Sequence, residues 1–376
     1  MKEKVRFVSA DLLRGLVIII MIEVHVFNTF LLPGLRQTGW FGVLNFINGL
    51  VAPSFLFVSG FAFQVSSGSK LDEMRKFGRV FWKKMQRILQ IILIGYALHL
   101  PFYSLSKMIN ESTPQLLASF YAVDILQCIG FGLMFLFITR LLFKSDKTYH
   151  YFLIISIIVV AAISPFLWKI DFNQYVYPII GNYFNKLHGS LFPIFPWVNF
   201  LLAGAIFAKY FSDARERSEE EKFIKLSGFA GIIVLLLGHL FYSGLFPKSY
   251  TTMHPNPVFY LERLGYILFL FVLCWYWDKK SRSKKTFILD ASRESLVVYW
   301  LHLVIIFGTF WNGKSLAMII GTNLNAAEAS LVTIVLILLM IVVAKLWGWA
   351  KKNYPKPSSI FIKMLVVVLI IIFLSI

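Results

Sequence analysis

Charged residues and cysteines are both scarce in this sequence of 376 residues. Aspartate, glutamate, lysine and arginine make up 15% of the chain, whereas hydrophobic residues make up 58%. Because soluble domains carry about 25% charged residues, this composition excludes an ordinary soluble globular protein. The two cysteines, Cys128 and Cys274, both lie inside apolar runs. We therefore expect neither a disulfide framework nor a thiolate metal site.

Sequence motifs for nucleotide and metal chemistry are also missing. The sequence contains no dinucleotide-binding fingerprint, no metalloprotease helix motif and no phosphate-binding glycine loop. Each of these motifs places particular residue types at fixed spacing around a ligand. We predict no bound metal and no tightly bound cofactor.

Long apolar runs make up most of the chain. A helix needs about 20 apolar residues to cross a hydrocarbon core of about 30 Å. Eleven such runs lie at 12–32, 43–65, 84–103, 121–142, 150–168, 190–211, 223–245, 258–277, 294–312, 328–350 and 360–376. The sequence therefore predicts an all-α, polytopic integral membrane protein with about eleven transmembrane helices and a single domain over residues 1–376.

Lysine and arginine are concentrated in alternate connections between these runs. The intervening connections hold only 7 of them, whereas 27 lie in the segments 2–6, 70–87, 140–147, 209–225, 279–285 and 351–363. This asymmetry predicts a cytoplasmic N-terminus and an extracytoplasmic C-terminus. It also accounts for most of the net charge of +18 without a nucleic-acid partner, and attraction of an anionic cytosolic ligand is the alternative for the remainder. The abundance of Ile, Phe and Lys indicates a bacterial inner membrane.

Polar residues interrupt the first apolar run. Arg14 and His25 are eleven residues apart, which places them within about 20° on one helix face and about 16 Å apart along the axis. Asp11 lies one turn before Arg14, whereas Glu23 points to the opposite side. An ionisable group at the depth of His25 is costly and indicates function. Packing is the alternative for each: an ion pair between Asp11 and Arg14, and hydrogen bonds inside the bundle for Glu23 and His25.

Several stretches resemble the transmembrane acyltransferase superfamily. They are "RFVSADLLRGLVIIIMIEVH" (6–25), "APSFLFVSGFAF" (52–63), "VDILQCIGFGL" (123–133), "FPIFPWVNFLLAGAIFAKYF" (192–211) and "RESLVVYWLH" (293–302). Their order is similar to that in the heparan-alpha-glucosaminide N-acetyltransferase-like branch, which is related to the acyltransferase-3 proteins. The animal heparan enzymes resemble this pattern with a further histidine in the first outer segment. Residues 28–42 contain no histidine, so the resemblance implies that His25 carries out the catalytic chemistry without a second histidine from this segment.

The resemblance implies an acyl-CoA-dependent membrane acyltransferase. Such an enzyme moves an acetyl or other short acyl group from cytosolic acyl-CoA to a sugar hydroxyl or amine of an extracytoplasmic glycan. The partners would be the acyl-CoA donor, a carbohydrate acceptor and the lipid bilayer. The alternative is a transporter or flippase for a glycan or lipid-linked precursor, because buried ionisable residues also mark substrate pathways.

The residues expected to bind the donor lie at the cytoplasmic ends of the predicted helices. Cationic side chains there suit the CoA phosphates, although each one alone is also explained as an interfacial anchor. The predicted donor-binding residues are Asp11, Arg14, Arg79, Lys83, Arg87 and Arg293.

The residues expected to act on the acceptor lie toward the opposite side of the membrane, with His302 about halfway along the ninth run. An imidazole is a suitable general base near neutral pH, so we predict His25 as a catalytic residue. Asp124, which opens the fourth run, is the second predicted catalytic residue, because it can orient His25 or bind acceptor hydroxyls. Packing between helices is the alternative for Asp124 and for His302. The predicted acceptor-binding residues are Glu23, Gln127, Glu262 and His302.

Overall fold

A computed structural model describes residues 6–68, 70–281, 286–308 and 315–375 of the chain. Most of these residues are helical, and the only β-type pairing among them is an isolated bridge between Leu31 and Leu324. The helices are α1 (Val8–Phe30), α2 (Gly39–Asn48), α3 (Val51–Gly68), α4 (Leu71–Arg75), α5 (Arg79–Leu98), α6 (Leu105–Asn110), α7 (Pro114–Tyr121), α8 (Ile125–Leu142), α9 (Asp146–Leu167), α10 (Pro178–Gly181), α11 (Ile194–Glu216), α12 (Glu220–Leu240), α13 (Lys248–Thr251), α14 (Pro257–Lys280), α15 (Phe287–Arg293), α16 (Ser295–Phe307), α17 (Leu316–Ile320), α18 (Ala326–Asn353) and α19 (Pro355–Ser375). The predicted all-α class is confirmed.

The apolar runs of the sequence coincide with helices. In the described part of the chain, eight segments are long and apolar enough to cross a membrane: Gly39–Gly68, Ile125–Leu142, Asp146–Leu167, Ile194–Glu216, Glu220–Leu240, Pro257–Lys280, Ala326–Asn353 and Pro355–Ser375. The other three predicted runs coincide with α1, α5 and α16, of 23, 20 and 13 residues. The prediction of a polytopic helical membrane protein is confirmed, and the count of eleven spans stays a prediction.

Part of the predicted charge pattern falls outside the described residues. So do the ends of the ninth and eleventh apolar runs, at 309–312 and 376. The basic residues concerned are Lys2, Lys4, Arg282, Lys284, Lys285 and Lys314.

The chain divides into two compact units, each built from separate segments. The terminal unit comprises the described residues of 1–51, 100–116 and 277–376, and the central unit comprises those of 52–99 and 117–276. The prediction of a single domain stays a prediction.

The terminal unit is built around α1, which packs against α15, α16 and α18. Its buried face includes Leu13, Ile18, Ile22 and Val26, all at most 1% exposed. A Cβ atom added at Gly15 would collide with the backbone carbonyl oxygen of Ile288. Small residues allow such close approach of helix backbones in membranes, so Gly15 lets α1 lie directly against α15.

The central unit has a core of closely packed helices. α8 packs against α5 and α11, and α9 packs against α11. Gly60 of α3 and Gly204 of α11 form a reciprocal contact, because a Cβ atom at either would collide with a backbone carbonyl of the other helix. Phenylalanine rings fill the adjoining core: Phe57, Phe61, Phe207, Phe211 and Phe271.

Candidate active site

The first helix holds the predicted catalytic histidine against a second histidine from α16. Nδ1 of His25 lies 3.0 Å from Nε2 of His302, within hydrogen-bond distance. His302 is fully buried, at 0% exposure, whereas His25 is half-buried. The other ring nitrogen of His302, Nδ1, lies 2.7 Å from the carbonyl oxygen of Val298 one helical turn earlier. The two imidazoles therefore form a hydrogen-bonded pair between helices that are remote in the chain.

Two aromatic rings contact this histidine pair. Tyr299 presents an edge to the ring of His302, at a centroid distance of 5.8 Å. Phe307, the last residue of α16, stands edge-on to His25 at 6.1 Å. Packing of this kind restricts the rotamers of both imidazoles. The pair is consequently held in a defined orientation.

A charged cluster lies at the start of the same helix. Asp11 accepts hydrogen bonds from the guanidinium groups of Arg14 and of Arg6, the latter at 2.7 Å. Because α1 is continuous from Val8 to Phe30, the eleven residues from Arg14 to His25 span about 16 Å. The predicted arrangement of Arg14 and His25 along one helix is thus present in the fold. The roles of Asp11 and Arg14 toward a donor stay predictions.

Glu23 lies on α1 beside the last residue of α2. Its carboxylate Oε1 accepts a hydrogen bond from the amide Nδ2 of Asn48, at 3.4 Å. Asn48 is 7% exposed, and its Oδ1 atom is buried without a hydrogen-bond partner among the described residues. Buried polar groups ordinarily have partners, so this amide oxygen is able to accept a hydrogen bond from a ligand or a water molecule.

Arg293 ends α15 and is accompanied by two acidic side chains. It is 48% exposed, with its guanidinium 3.4 Å from the carboxylate of Asp290. The adjacent Glu294 is buried and pairs with Lys351 of α18. Arg293 therefore lies in the terminal unit together with Arg14, as an exposed cation.

The second predicted catalytic residue, Asp124, belongs to the central unit. Its Oδ1 atom accepts a hydrogen bond from the backbone N–H of Ile125 and so caps α8. Its Oδ2 atom lies 3.3 Å from Nε2 of His99 at the end of α5. One turn further into α8, Gln127 is fully buried beside Gly95, and neither of its amide atoms has a hydrogen-bond partner among the described residues. The predicted role of Asp124 beside His25 stays a prediction.

The remaining predicted residues also lie in the central unit. Arg79, Lys83 and Arg87 are exposed along α5. Glu262 is half-buried on α14, with its aliphatic atoms beside Gly238 of α12. Their predicted roles in binding donor and acceptor stay predictions.

Two polar residues near these sites were not predicted from the sequence. Asn48 contacts Glu23 from a helix end in the second apolar run, where a lone amide in "FINGLVA" gives no signal of its partner. Lys84 donates hydrogen bonds to the hydroxyls of Ser66 and Ser67, at 3.1 and 2.7 Å. The sequence did mark Lys84 as one cation of a basic stretch, but nothing in the spacing separates it from its exposed neighbours.

The arrangement in the terminal unit suits acid–base chemistry inside a membrane. An imidazole held by a second imidazole can accept a proton from a substrate group, because its pairing fixes the ring and its residual exposure admits a reactant. The cations at the start of α1 and the end of α15 suit phosphate groups. No grouping of three or more metal-ligating side chains occurs in the described ranges.

The family model "Heparan-alpha-glucosaminide N-acetyltransferase, catalytic" matches residues 6–231 of the chain. The match covers α1 and the Arg14–His25 spacing, and it continues through α11. No curated protein matches the chain.

Proposed function

The chain belongs to the heparan-alpha-glucosaminide N-acetyltransferase catalytic family, and from this premise we propose that it transfers an acetyl group from acetyl-CoA to a sugar. The donor binds from the cytosol, and the acceptor is a hydroxyl or amine of a glycan on the extracytoplasmic side. The enzyme resides in a bacterial inner membrane, with its N-terminus in the cytoplasm.

The observation that carries this proposal is the layout of α1. A cation, Arg14, lies near the start of the helix, and an imidazole, His25, lies about 16 Å further along. The pantetheine arm of CoA is long enough to bridge that distance. The nucleotide phosphates can therefore remain at the cytosolic end while the thioester reaches His25.

The reaction requires two proton transfers, one from the acceptor group to His25 and one from His25 to the leaving thiolate of CoA. As the acceptor oxygen or nitrogen attacks the acetyl carbonyl carbon, its proton moves to the imidazole of His25. The new carbon–oxygen or carbon–nitrogen bond forms and the carbon–sulfur bond breaks. The thiolate of CoA then takes up a proton, which His25 supplies, so that the imidazole returns to its starting state.

Direct transfer is favoured over an acetylated histidine. An acetyl-imidazole hydrolyses readily wherever water has access, and His25 is half-buried rather than enclosed. Acetylation of His25 in the absence of an acceptor, measured by mass spectrometry, would identify the two-step route instead.

The test is an assay of purified protein with radiolabelled acetyl-CoA and a set of soluble amino sugars and neutral sugars. Release of free CoA together with label in a sugar is the expected result. If no sugar is labelled and no CoA is released, while vesicles that contain the protein take up a labelled glycan precursor, the transporter alternative holds. The His25→Ala protein is the negative control for acetyl transfer.

A further inference from the structure

The hydrogen bonds of His302 determine which of its ring nitrogens carries a hydrogen. A backbone carbonyl can only accept, so the contact of 2.7 Å with Val298 requires that Nδ1 of His302 donates. His302 is 0% exposed, and its hydrogen-bond partners among the described residues are this carbonyl and His25. A buried charge without a carboxylate partner is strongly disfavoured, so the ring is neutral. Nε2 of His302 then carries a lone pair.

That lone pair decides the tautomer of His25. Since Nε2 of His302 can only accept, Nδ1 of His25 is the donor across the distance of 3.0 Å. A neutral imidazole has one N–H, so Nε2 of His25 is the unprotonated nitrogen. We propose that His302 is a positioning residue that fixes this tautomer and thereby makes Nε2 of His25 the base of the proposed acetyl transfer. The proposal rests on the function assigned to His25 above.

The same hydrogen bond remains in place when His25 takes a proton. The proton from the acceptor goes to Nε2 of His25, and Nδ1 continues to donate to His302. The positive charge stays on His25, which is half-buried, because moving a proton on to His302 would place the charge at a site with 0% exposure. His302 therefore accepts a hydrogen bond throughout the cycle and does not take part as an acid.

The surroundings of His302 hold its ring in one orientation, as a hydrogen-bond acceptor for His25 requires. The contact with Val298 joins the ring to its own helix, and the edge contact with Tyr299 restricts its rotation. The position of α16 relative to α1 is fixed by packing within the terminal unit. A hydrogen-bond acceptor of fixed orientation orients the ring of His25 and also selects its tautomer.

Two substitutions at this position separate positioning from packing. The side-chain oxygen of His302→Gln can accept from Nδ1 of His25, whereas His302→Leu is apolar and accepts nothing. We expect kcat to fall on the order of 10-fold or more in His302→Leu. A catalytic histidine held in the wrong tautomer loses up to about 10⁴-fold in kcat. His302→Gln should keep most of the activity, and the KM for acetyl-CoA should be unchanged in both proteins.

A role in packing alone predicts the reverse order. Leucine suits an apolar interior, whereas a buried glutamine amide costs stability unless it is fully hydrogen-bonded. Activity of His302→Leu equal to that of the wild type, or higher than that of His302→Gln at matched thermal stability, would therefore overturn the proposal.

A direct measurement of the tautomer does not depend on activity. In protein labelled with ¹⁵N-histidine, the signals of His25, assigned by their loss in His25→Ala, report which nitrogen carries the hydrogen. We expect the hydrogen on Nδ1 in the wild type and in His302→Gln, and a shift toward Nε2 in His302→Leu. A wild-type His25 with its hydrogen on Nε2 would overturn the proposal even in an active enzyme. Conversely, the expected tautomer in a protein that transfers no acetyl group would leave this assignment standing and refute the proposed function.

Discussion

Glu294 and Lys351 form an ion pair of 2.6 Å, in which the Glu294 side chain is 7% exposed and the Lys351 side chain is 45% exposed. The pair joins the residue before α16 to the last turns of α18. It therefore holds the helix that carries His302 in place within the terminal unit.

Loss of the lysine should cost more stability than loss of the charge on the glutamate. Lys351→Ala leaves a buried carboxylate without its cation, which costs on the order of 1–3 kcal/mol once the exposure of the lysine is taken into account. Glu294→Gln removes the charge that needs a partner, so its effect should be smaller. Thermal unfolding in detergent measures both, with the exposed neighbour variant Lys352→Ala as the control. Equal midpoints for Lys351→Ala and Lys352→Ala would show that the pair contributes no stability.

Removal of the imidazole of His25 should abolish transfer but not donor binding. His25→Ala is expected to lower the rate of acetyl transfer by about 100-fold or more, the usual scale for a general base. Binding of CoA, measured by thermal stabilisation, should be unchanged because the proposed site for the phosphates is at the other end of α1. His239→Ala, at an exposed histidine of α12, is the matched control. A near wild-type rate in His25→Ala would restrict His25 to packing.

Substitution of Arg14 should weaken donor binding. Arg14 is 27% exposed beside Asp11, and its guanidinium is suited to a CoA phosphate. In Arg14→Ala the thermal stabilisation by acetyl-CoA should be clearly smaller than in the wild type. Arg217→Ala, whose side chain is 67% exposed in the wild type, should respond as the wild type does. If Arg14→Ala were stabilised to the full extent, Arg14 would not be part of the donor site.

The orientation in the membrane can be tested with single introduced cysteines. Both native cysteines are buried and can be replaced by alanine. Lys76 is exposed in the basic segment 70–87, and Tyr175 is 76% exposed in the connection between α9 and α11. A membrane-impermeant maleimide added to intact cells should label Tyr175→Cys and leave Lys76→Cys unlabelled. The opposite result would invert the proposed topology.

A polar pair in the connection between α9 and α11 should respond to acid. Nε2 of His188 lies 2.7 Å from Oδ1 of Asp171. This hydrogen bond is the main reason why the pKa of Asp171 is held below its ordinary value of 3.8. The folded state thus favours the ionised carboxylate, so the stabilisation is fully present when the pH is well above 3.8 and is lost as the pH falls through the lowered pKa.

Hydrogen exchange of segment 168–193 provides the measurement. Asp171→Asn should exchange faster than the wild type at neutral pH, and the difference should disappear only in strong acid. Tyr175→Ala, at an exposed site in the same segment, is the control. A difference that vanishes between pH 5 and 7 would contradict an assignment to the carboxylate.

The sequence by itself determined the helical, membrane-embedded character of this protein. The length and apolarity of a run are local properties, and within the described residues ten of the eleven predicted runs each overlap one long helix, while the second overlaps two. The arrangement of Arg14 and His25 was equally predictable, because both lie on the uninterrupted helix α1 and helical geometry fixes their separation. Local spacing did not reveal the break at Gly49 and Leu50, which divides the second run into α2 and α3.

Only the tertiary structure decided which polar groups meet. His25 and His302 are 277 residues apart, and their contact depends on how closely α1 can approach the helices packed against it. That approach is set by backbone contacts such as the one between Gly15 and Ile288, which leave no periodic signal in the sequence. The contacts of Asp124 with His99 and of Glu23 with Asn48 arise in the same way. The sequence shows which ionisable groups the membrane must accommodate, and helix packing selects the partner of each, because a hydrogen bond needs alignment within a few tenths of an ångström.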